Sequence, residues 1–181
     1  MHWMADWPTP YPLFVDRAHD ASFVDVDGNE YVDFCLGDTG AMFGHAPQAV
    51  ADAIREQADR GYTTMLPGPD AVWVGEELSQ RFQLPFWQVT ATATDANRYS
   101  LRWARAVTGR SKILVFDGCY HGTVEETMVR LEQGRTVPRA GQLGSVANVA
   151  DSTLVVEFND VAAQEKALES REIAAVLTEP A

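Results

Sequence analysis

Lysine is the scarcest charged residue in this chain: Lys112 and Lys166 are the only two among 181 residues. Base is short altogether, with 14 Lys and Arg against 26 Asp and Glu, and no stretch gathers the bases into a patch. A net charge of -12 argues against nucleic acid and anionic membrane as partners. Cys35 and Cys119 are the only cysteines and form no CxxC pair, so reduced thiols are expected rather than a disulfide or metal framework. His2, His19, His45 and His121 are scattered without ligand spacing, which leaves no metal site. No apolar run approaches the roughly 18 residues of a spanning helix. Met1 to Asp6 lacks a charged segment followed by an apolar one, and the expected location is the cytoplasm. No G-x-G-x-x-G follows a strand, against a dinucleotide-binding dehydrogenase, and no G-x-S-x-G occurs, against a hydrolase. Internal repeats and low-complexity tracts are also missing.

What is present is a globular composition, 46% apolar, ample for a buried core. Pro8, Pro10 and Pro12 among aromatics point to an extended arm over the first dozen residues. Ser22 to Val26 and Glu30 to Phe34 alternate apolar and polar residues around Asp27-Gly28-Asn29, which predicts a hairpin in a small antiparallel sheet. After the Gly-rich segment Gly37 to Gly44, Pro47 opens a helix carrying Val50, Ala53, Ile54, Gln57 and Ala58 at helical spacing, closed at Gly61. From about Asp70 helices and short apolar strands alternate. The pattern predicts a helix to about Phe82, a strand at Trp87 to Ala91, a helix at Asp95 to Val107 and a strand at Ile113 to Phe116. It continues with a strand at Leu154 to Val156, a helix opened by Asn159 or Asp160, and a strand at Ile173 to Leu177. Glu132 to Asp151, rich in Gly, Arg and Pro, reads as a long surface loop. This alternation is that of an α/β protein with a parallel sheet.

Three places can carry chemistry. From Val89 to Asn97 an apolar segment passes through Thr90, Ala91, Thr92, Ala93 and Thr94 straight into a helix. Such a turn offers free backbone N–H groups at a positive helix end, a site suited to phosphate, with Thr92 and Thr94 adding hydroxyls. Thr94 as a plain helix cap is the competing reading. On that helix Arg98, Arg102 and Arg105 form a stripe read as a solvated face, opposite Ala96, Tyr99, Ser100, Trp103 and Val107. Next, Cys119-Tyr120-His121-Gly122 follows a strand on the same predicted sheet edge. Tyr120 there can stack on a flat cofactor and His121 can donate a hydrogen bond or relay a proton, although a packed turn tyrosine fits equally. Finally, Glu179 ends the next strand, either as a carboxylate in the crevice or as a strand terminator before Pro180.

In this order and spacing the chain resembles the class III pyridoxal-phosphate-dependent aminotransferases, near their glutamate-1-semialdehyde aminomutase branch. The family's N-S-G-T-E-A-N reads here as Ala91 to Asn97, and its L-R-L-A-R-x-x-T-G-R as Leu101 to Arg110. Its K-I-x-x-F-x-G-x-Y-H-G is Lys112 to Gly122, and its A-A-V-x-x-E-P is Ala174 to Pro180. Upstream, Asp25 to Phe34 matches D-x-D-G-x-x-Y-x-D, and Gly44-His45 its G-H loop. The resemblance implies a fold-type-I transferase, with part of a small domain in 1–65 and the first half of the large, mostly parallel-sheet domain in 66–181. It implies pyridoxal 5'-phosphate as cofactor, with Thr92, Ala93 and Thr94 at its phosphate, Tyr120 on its ring, His121 nearby and Glu179 beside the active site. Ala93 stands where the family has Gly, and its Cβ is costly if that residue needs a positive φ. Asp95 replaces Glu with a shorter acid of the same charge.

The implied substrates are an amine or amino acid and a keto acid or aldehyde, and the implied assembly is a homodimer. Pyridoxal phosphate needs a Schiff-base lysine and an acid at the pyridine nitrogen. In the family both follow the E-P motif, so the resemblance puts the Schiff-base lysine beyond Ala181, the last residue, and no catalytic lysine is expected within this sequence. Of the two lysines present, Lys112 starts a predicted strand and Lys166 rides a predicted helix. The chain therefore reads as a truncated front part, inactive alone. Asp38 stands where the aminomutases resemble one another with Trp, which favours transamination over intramolecular amino transfer. A catalytically dead piece that only binds a partner is the remaining alternative.

Overall fold

The computed structural model describes residues 12–144 and 147–179. The predicted N-terminal arm lies outside them apart from Pro12. At the other end Pro180 and Ala181 lie outside them too, so the expectation that the Schiff-base lysine follows Ala181 falls beyond the described residues. The described chain divides between Glu77 and Leu78 into two units.

In the first unit, β1 (Val15–His19), β2 (Ser22–Asp25) and β3 (Glu30–Val32) form an antiparallel sheet in that order. The predicted hairpin is β2–β3, and β1 is an additional strand whose sequence, Val-Asp-Arg-Ala-His, does not alternate cleanly. The hairpin turn is organised by Asp25, which is buried at 4% exposure. Its carboxylate accepts from the backbone N–H of Asp27 at 3.0 Å and of Asn29 at 2.8 Å, from Asn29 Nδ2 at 3.0 Å and from Tyr31 Oη at 2.9 Å. The Asn29 side-chain bond, opposed by burial and joined by the other donors, holds the Asp25 carboxyl below its ordinary value. Asp33 repeats the device: its Oδ1 accepts from the N–H groups of Cys35 and Leu36, and its Oδ2 lies 2.6 Å from His45 Nε2. His45 also exchanges backbone hydrogen bonds with Asp20, so the glycine-rich loop is tied at both ends. Helix α1 (Gln48–Arg60) runs from Pro47 to Gly61 as expected and buries none of its residues. Helix α2 (Asp70–Phe82) has the predicted bounds.

The second unit centres on three parallel strands, β4 (Lys112–Phe116), β7 (Thr153–Val156) and β8 (Ile173–Leu177), in the order β7-β4-β8. Helix α3 (Ala93–Thr108) precedes β4, and α4 (Val161–Glu169), capped by Asp160, links β7 to β8. Successive residues of a strand face opposite sides, and β4 is covered on both. Ile113 and Val115 pack with Leu101, Val124, Val129, Val149 and Val155 on one side, whereas Leu114 and Phe116 meet Val156, Ala167 and Ile173 on the other. Each such side chain contributes about 1.5–3 kcal/mol by leaving water, which is why β4 reads as an unbroken apolar run.

Two expectations fail. Trp87 to Ala91 is not a strand. A strand exists only through a pairing neighbour, and among the described residues no strand pairs with this segment. Trp87 instead packs against Phe82 at 5.3 Å and donates from Nε1 to the Leu84 carbonyl at 2.9 Å, and Val89 is 72% exposed. The expected loop from Glu132 to Asp151 contains part of an antiparallel hairpin, β5 (Val129–Glu132) and β6 (Arg135–Pro138). Its two-residue turn, Gln133-Gly134, has φ of 50° and 74°, a mirror-image turn usually signalled by Asn-Gly. Asp117 Oδ1 accepts from Leu131 N–H and Thr136 Oγ1 from Val155 N–H, which ties the hairpin to the sheet. Among the described residues no helix is long and apolar enough to cross a membrane.

Candidate functional site

The carboxyl ends of β4 and β8 and the N-terminus of α3 meet around the loop Cys119 to Thr123. Helix α3 begins two residues before the predicted Asp95, and its N-cap is Thr92, with φ -138° and ψ 153°. The Thr94 cap is thereby corrected: Thr92 Oγ1 accepts from Asp95 N–H at 3.1 Å and donates to Asp95 Oδ2 at 3.0 Å. A helix start leaves its first N–H groups without intrahelical partners. With Asp95 satisfied by Thr92, those of Ala93 and Thr94 have no partner among the described residues and stand at the positive end of a 16-residue helix. Ala93 is the first helical residue and has no positive φ, so its Cβ costs nothing there.

The hydroxyl of Thr94 reaches the neighbouring loop, accepting from Thr123 N–H at 3.1 Å. Gly122, at φ 77°, lies against the same side chain; a Cβ on it would overlap Thr94 Oγ1. Asn97 Nδ2 donates to the His121 carbonyl at 3.1 Å, one turn further along α3. Tyr120 is about half exposed. Its N–H donates to Glu179 Oε1 at 3.0 Å, which brings the third predicted residue to the same loop.

His121 is buried, and its Nε2 has no hydrogen-bond partner among the described residues. Burial lowers its pKa against the opposing pull of the Glu179 charge, so the ring is neutral at pH 7. Cys119 moves the other way: burial, reinforced by Glu179, pushes its thiol up, and it is not a ready nucleophile. The structure thus brings Thr94, Tyr120, His121 and Glu179 together, with the hydroxyl of Thr92 engaged in the cap. The arginine stripe is only partly a solvated face, because Arg105 pairs with Glu126 at 2.7 Å. Burial would raise the Glu126 carboxyl, but the Arg105 bond and charge bring it below its ordinary value.

The residues present suit the phosphate and ring of pyridoxal phosphate, with open N–H donors, a threonine hydroxyl and a half-exposed aromatic on one edge. They do not supply its amine. Lys112 starts β4, at the end of the sheet opposite the loop, and pairs with Glu172 at 2.9 Å; Lys166 is on α4. Sequence reasoning passed over Arg139, whose Nη2 donates to the Cys119 carbonyl at 2.6 Å. An arginine inside an unrecognised hairpin-and-loop segment carries no local signal of such a contact.

The fold is that of an α/β protein in which the carboxyl edge of a parallel sheet meets a helix N-terminus across a Tyr-His-Gly loop, the edge where open α/β proteins place their ligands. The pattern of the family described as Aminotransferase class-III matches residues 3–181, and the chain belongs to that family. It is 35% identical over 175 residues to the glutamate-1-semialdehyde 2,1-aminomutase of Methanocaldococcus jannaschii, covering 94% of this chain and 41% of that protein. A crystal structure of a glutamate-1-semialdehyde-aminomutase from Pseudomonas aeruginosa PAO1 superposes with a TM-score of 0.93 at 55% identity, over 99% of this chain and 40% of that one. An omega-transaminase from Sphaerobacter thermophilus gives 0.83 at 34% identity, over 95% and 42%. The chain therefore spans about 40% of the length of these relatives.

Proposed function

We propose that this chain forms the phosphate- and ring-binding part of a pyridoxal-phosphate-dependent enzyme that transfers amino groups. The observation that carries the reading is the pair of open N–H groups, Ala93 and Thr94, at the α3 N-terminus beside the Tyr120 loop. Bound there, the cofactor supplies an electron sink for changes at the amine-bearing carbon. The chain's own groups do the rest. The Ala93 and Thr94 amides and the helix dipole hold the phosphate dianion, and the Thr94 hydroxyl, accepting from Thr123, keeps its proton to donate. Tyr120, half exposed on the same edge, would lie against the pyridine ring and shield it from water. His121, neutral and buried, adds no positive charge beside the ring.

On this reading residues 1–65 belong to the small domain and 66–181 open the large one, with the Schiff-base lysine supplied from beyond Ala181. The enzyme works as a cytoplasmic homodimer on an amine or amino acid and a keto acid or aldehyde. Transamination is preferred because Asp38 occupies the position of the aminomutase tryptophan. Intramolecular amino transfer is the second reading, favoured by the aminomutase relatives. A second carbonyl product released from the donor marks transamination; its absence with isomerised substrate marks the second reading.

Titration of the chain with pyridoxal phosphate tests the site. Thr94→Val should weaken binding by about 1–3 kcal/mol, the cost of leaving a charged hydrogen bond unmade. Tyr120→Ala should lose affinity and Tyr120→Phe keep most of it. An unchanged titration with Thr94→Val would refute the phosphate site.

A further inference from the structure

The peptide unit between Cys119 and Tyr120 is gripped at both ends by side chains of opposite charge. Its carbonyl oxygen accepts from Arg139 Nη2 at 2.6 Å, and its N–H donates to Glu179 Oε1 at 3.0 Å. The arrangement matches the peptide dipole, with the cation at the oxygen and the anion at the N–H. Rotating the plane by half a turn would set oxygen against carboxylate and N–H against guanidinium, exchanging two charge-assisted hydrogen bonds for two repulsions.

The grips come from separate parts of the fold. Arg139 directly follows β6, and its own N–H is fixed to the Met128 carbonyl at 2.9 Å. Glu179 lies two residues beyond β8. Further along the loop, Asn97 holds the His121 carbonyl and Thr94 the Thr123 N–H, so the segment is pinned on both sides of Tyr120. Tyr120 itself is 48% exposed, so packing restrains its ring only in part, and the backbone sets the direction in which the side chain leaves the loop.

We propose that Arg139 and Glu179 are positioning residues that lock the Cys119–Tyr120 peptide plane and thereby aim the Tyr120 ring. That the aimed ring meets a pyridine ring rests on the function proposed above; the lock itself does not. Glu179 thus acts through the backbone of Tyr120 and Arg139 through the carbonyl before it.

Amide hydrogen exchange and ¹H–¹⁵N spectra of the 181-residue chain without cofactor read the lock directly. The Tyr120 amide proton should exchange slowly, and its resonance should move upfield when Glu179 is replaced by Leu. Glu179→Leu and Arg139→Met should each speed its exchange by about tenfold or more, although Arg139 does not touch that amide. Glu179→Gln keeps an oxygen acceptor and should restore the protection. Leu114 in the buried strand β4 reports whether a variant still folds. If Arg139→Met unfolds the chain, the comparison of Gln and Leu at exposed Glu179 decides. Equal Tyr120 exchange in those two variants and the wild type overturns the lock. Pyridoxal phosphate affinity reads the aiming step: it should fall in Glu179→Leu and recover in Glu179→Gln. Tyr120 protection lost with affinity unchanged overturns aiming. A wild-type chain with the predicted amide pattern but no affinity supports the lock and instead removes the cofactor reading.

Discussion

Gly122→Ala is a sharp perturbation of the site, because the structure gives a side chain no room there. The new Cβ would overlap Thr94 Oγ1 and stand 3.1 Å from Thr94 Cβ and 3.2 Å from Thr94 Cα. Thr94 is in the first turn of α3 and cannot retreat without moving the helix start. Overpacking of this kind costs about 1–3 kcal/mol, and a non-glycine residue at φ 77° adds about 1–2 kcal/mol. Displacing Thr94 Oγ1 also breaks its bond to Thr123 N–H, a loss of about 1 kcal/mol. The expected destabilisation is about 3–6 kcal/mol, read by urea unfolding of wild type and variant followed by circular dichroism. A double-mutant cycle isolates the cause: in a Thr94→Ala background the overlap with Oγ1 is gone, and the cost of Gly122→Ala should shrink by about 1–2 kcal/mol. A cost below about 1 kcal/mol, or strict additivity, would refute the contact between α3 and the loop.

Acid should weaken the clasps of the N-terminal unit. Asp25 and Asp33 have folded pKa values below their ordinary 3.8, so their contribution is complete above that value and disappears as pH falls through the depressed one. Thermal melts across about pH 5 to 2 should fall more steeply for wild type than for Asp25→Asn, and parallel curves would contradict the clasp. With Lys112 paired to Glu172 and Lys166 on α4, borohydride reduction of a pyridoxal phosphate mixture should leave no stoichiometric label on either lysine. The same preparation should show no amino transfer. One full equivalent on a single lysine in the mass spectrum, together with turnover, would overturn that placement.

Much of the site was legible because its signals are local. Thr92 to Asn97 carries its own cap and helix start, and Ile113 to Phe116 and Ile173 to Leu177 are short runs bounded by turn residues, so their strands fall where expected. The family motifs then bring Tyr120 and Glu179 to one edge. What was missed depends on which segment pairs with which, and composition does not show that. Trp87 to Ala91 has strand composition but no neighbour to pair with, and Val129 to Pro138 has a neighbour but a Gln-Gly turn that hides it. Arg139 belongs to the second kind: its contact with Cys119 spans 20 positions, and nothing adjacent to it in sequence points there. The role of Asp25 was half visible, since the Asp-Gly-Asn turn was plain while the carboxylate that closes it sits two residues earlier.

The central claim is that the α3 N-terminus and the Tyr120 loop together form one anion and ring site. Its most direct test is a titration of the ¹⁵N-labelled chain with pyridoxal phosphate, followed by amide shifts. Saturable shifts should centre on Ala93, Thr94 and Tyr120, and inorganic phosphate should move the Ala93 and Thr94 amides while leaving the Tyr120 amide in place. Shifts centred on the start of α1 or α4, or none that saturate, would contradict it.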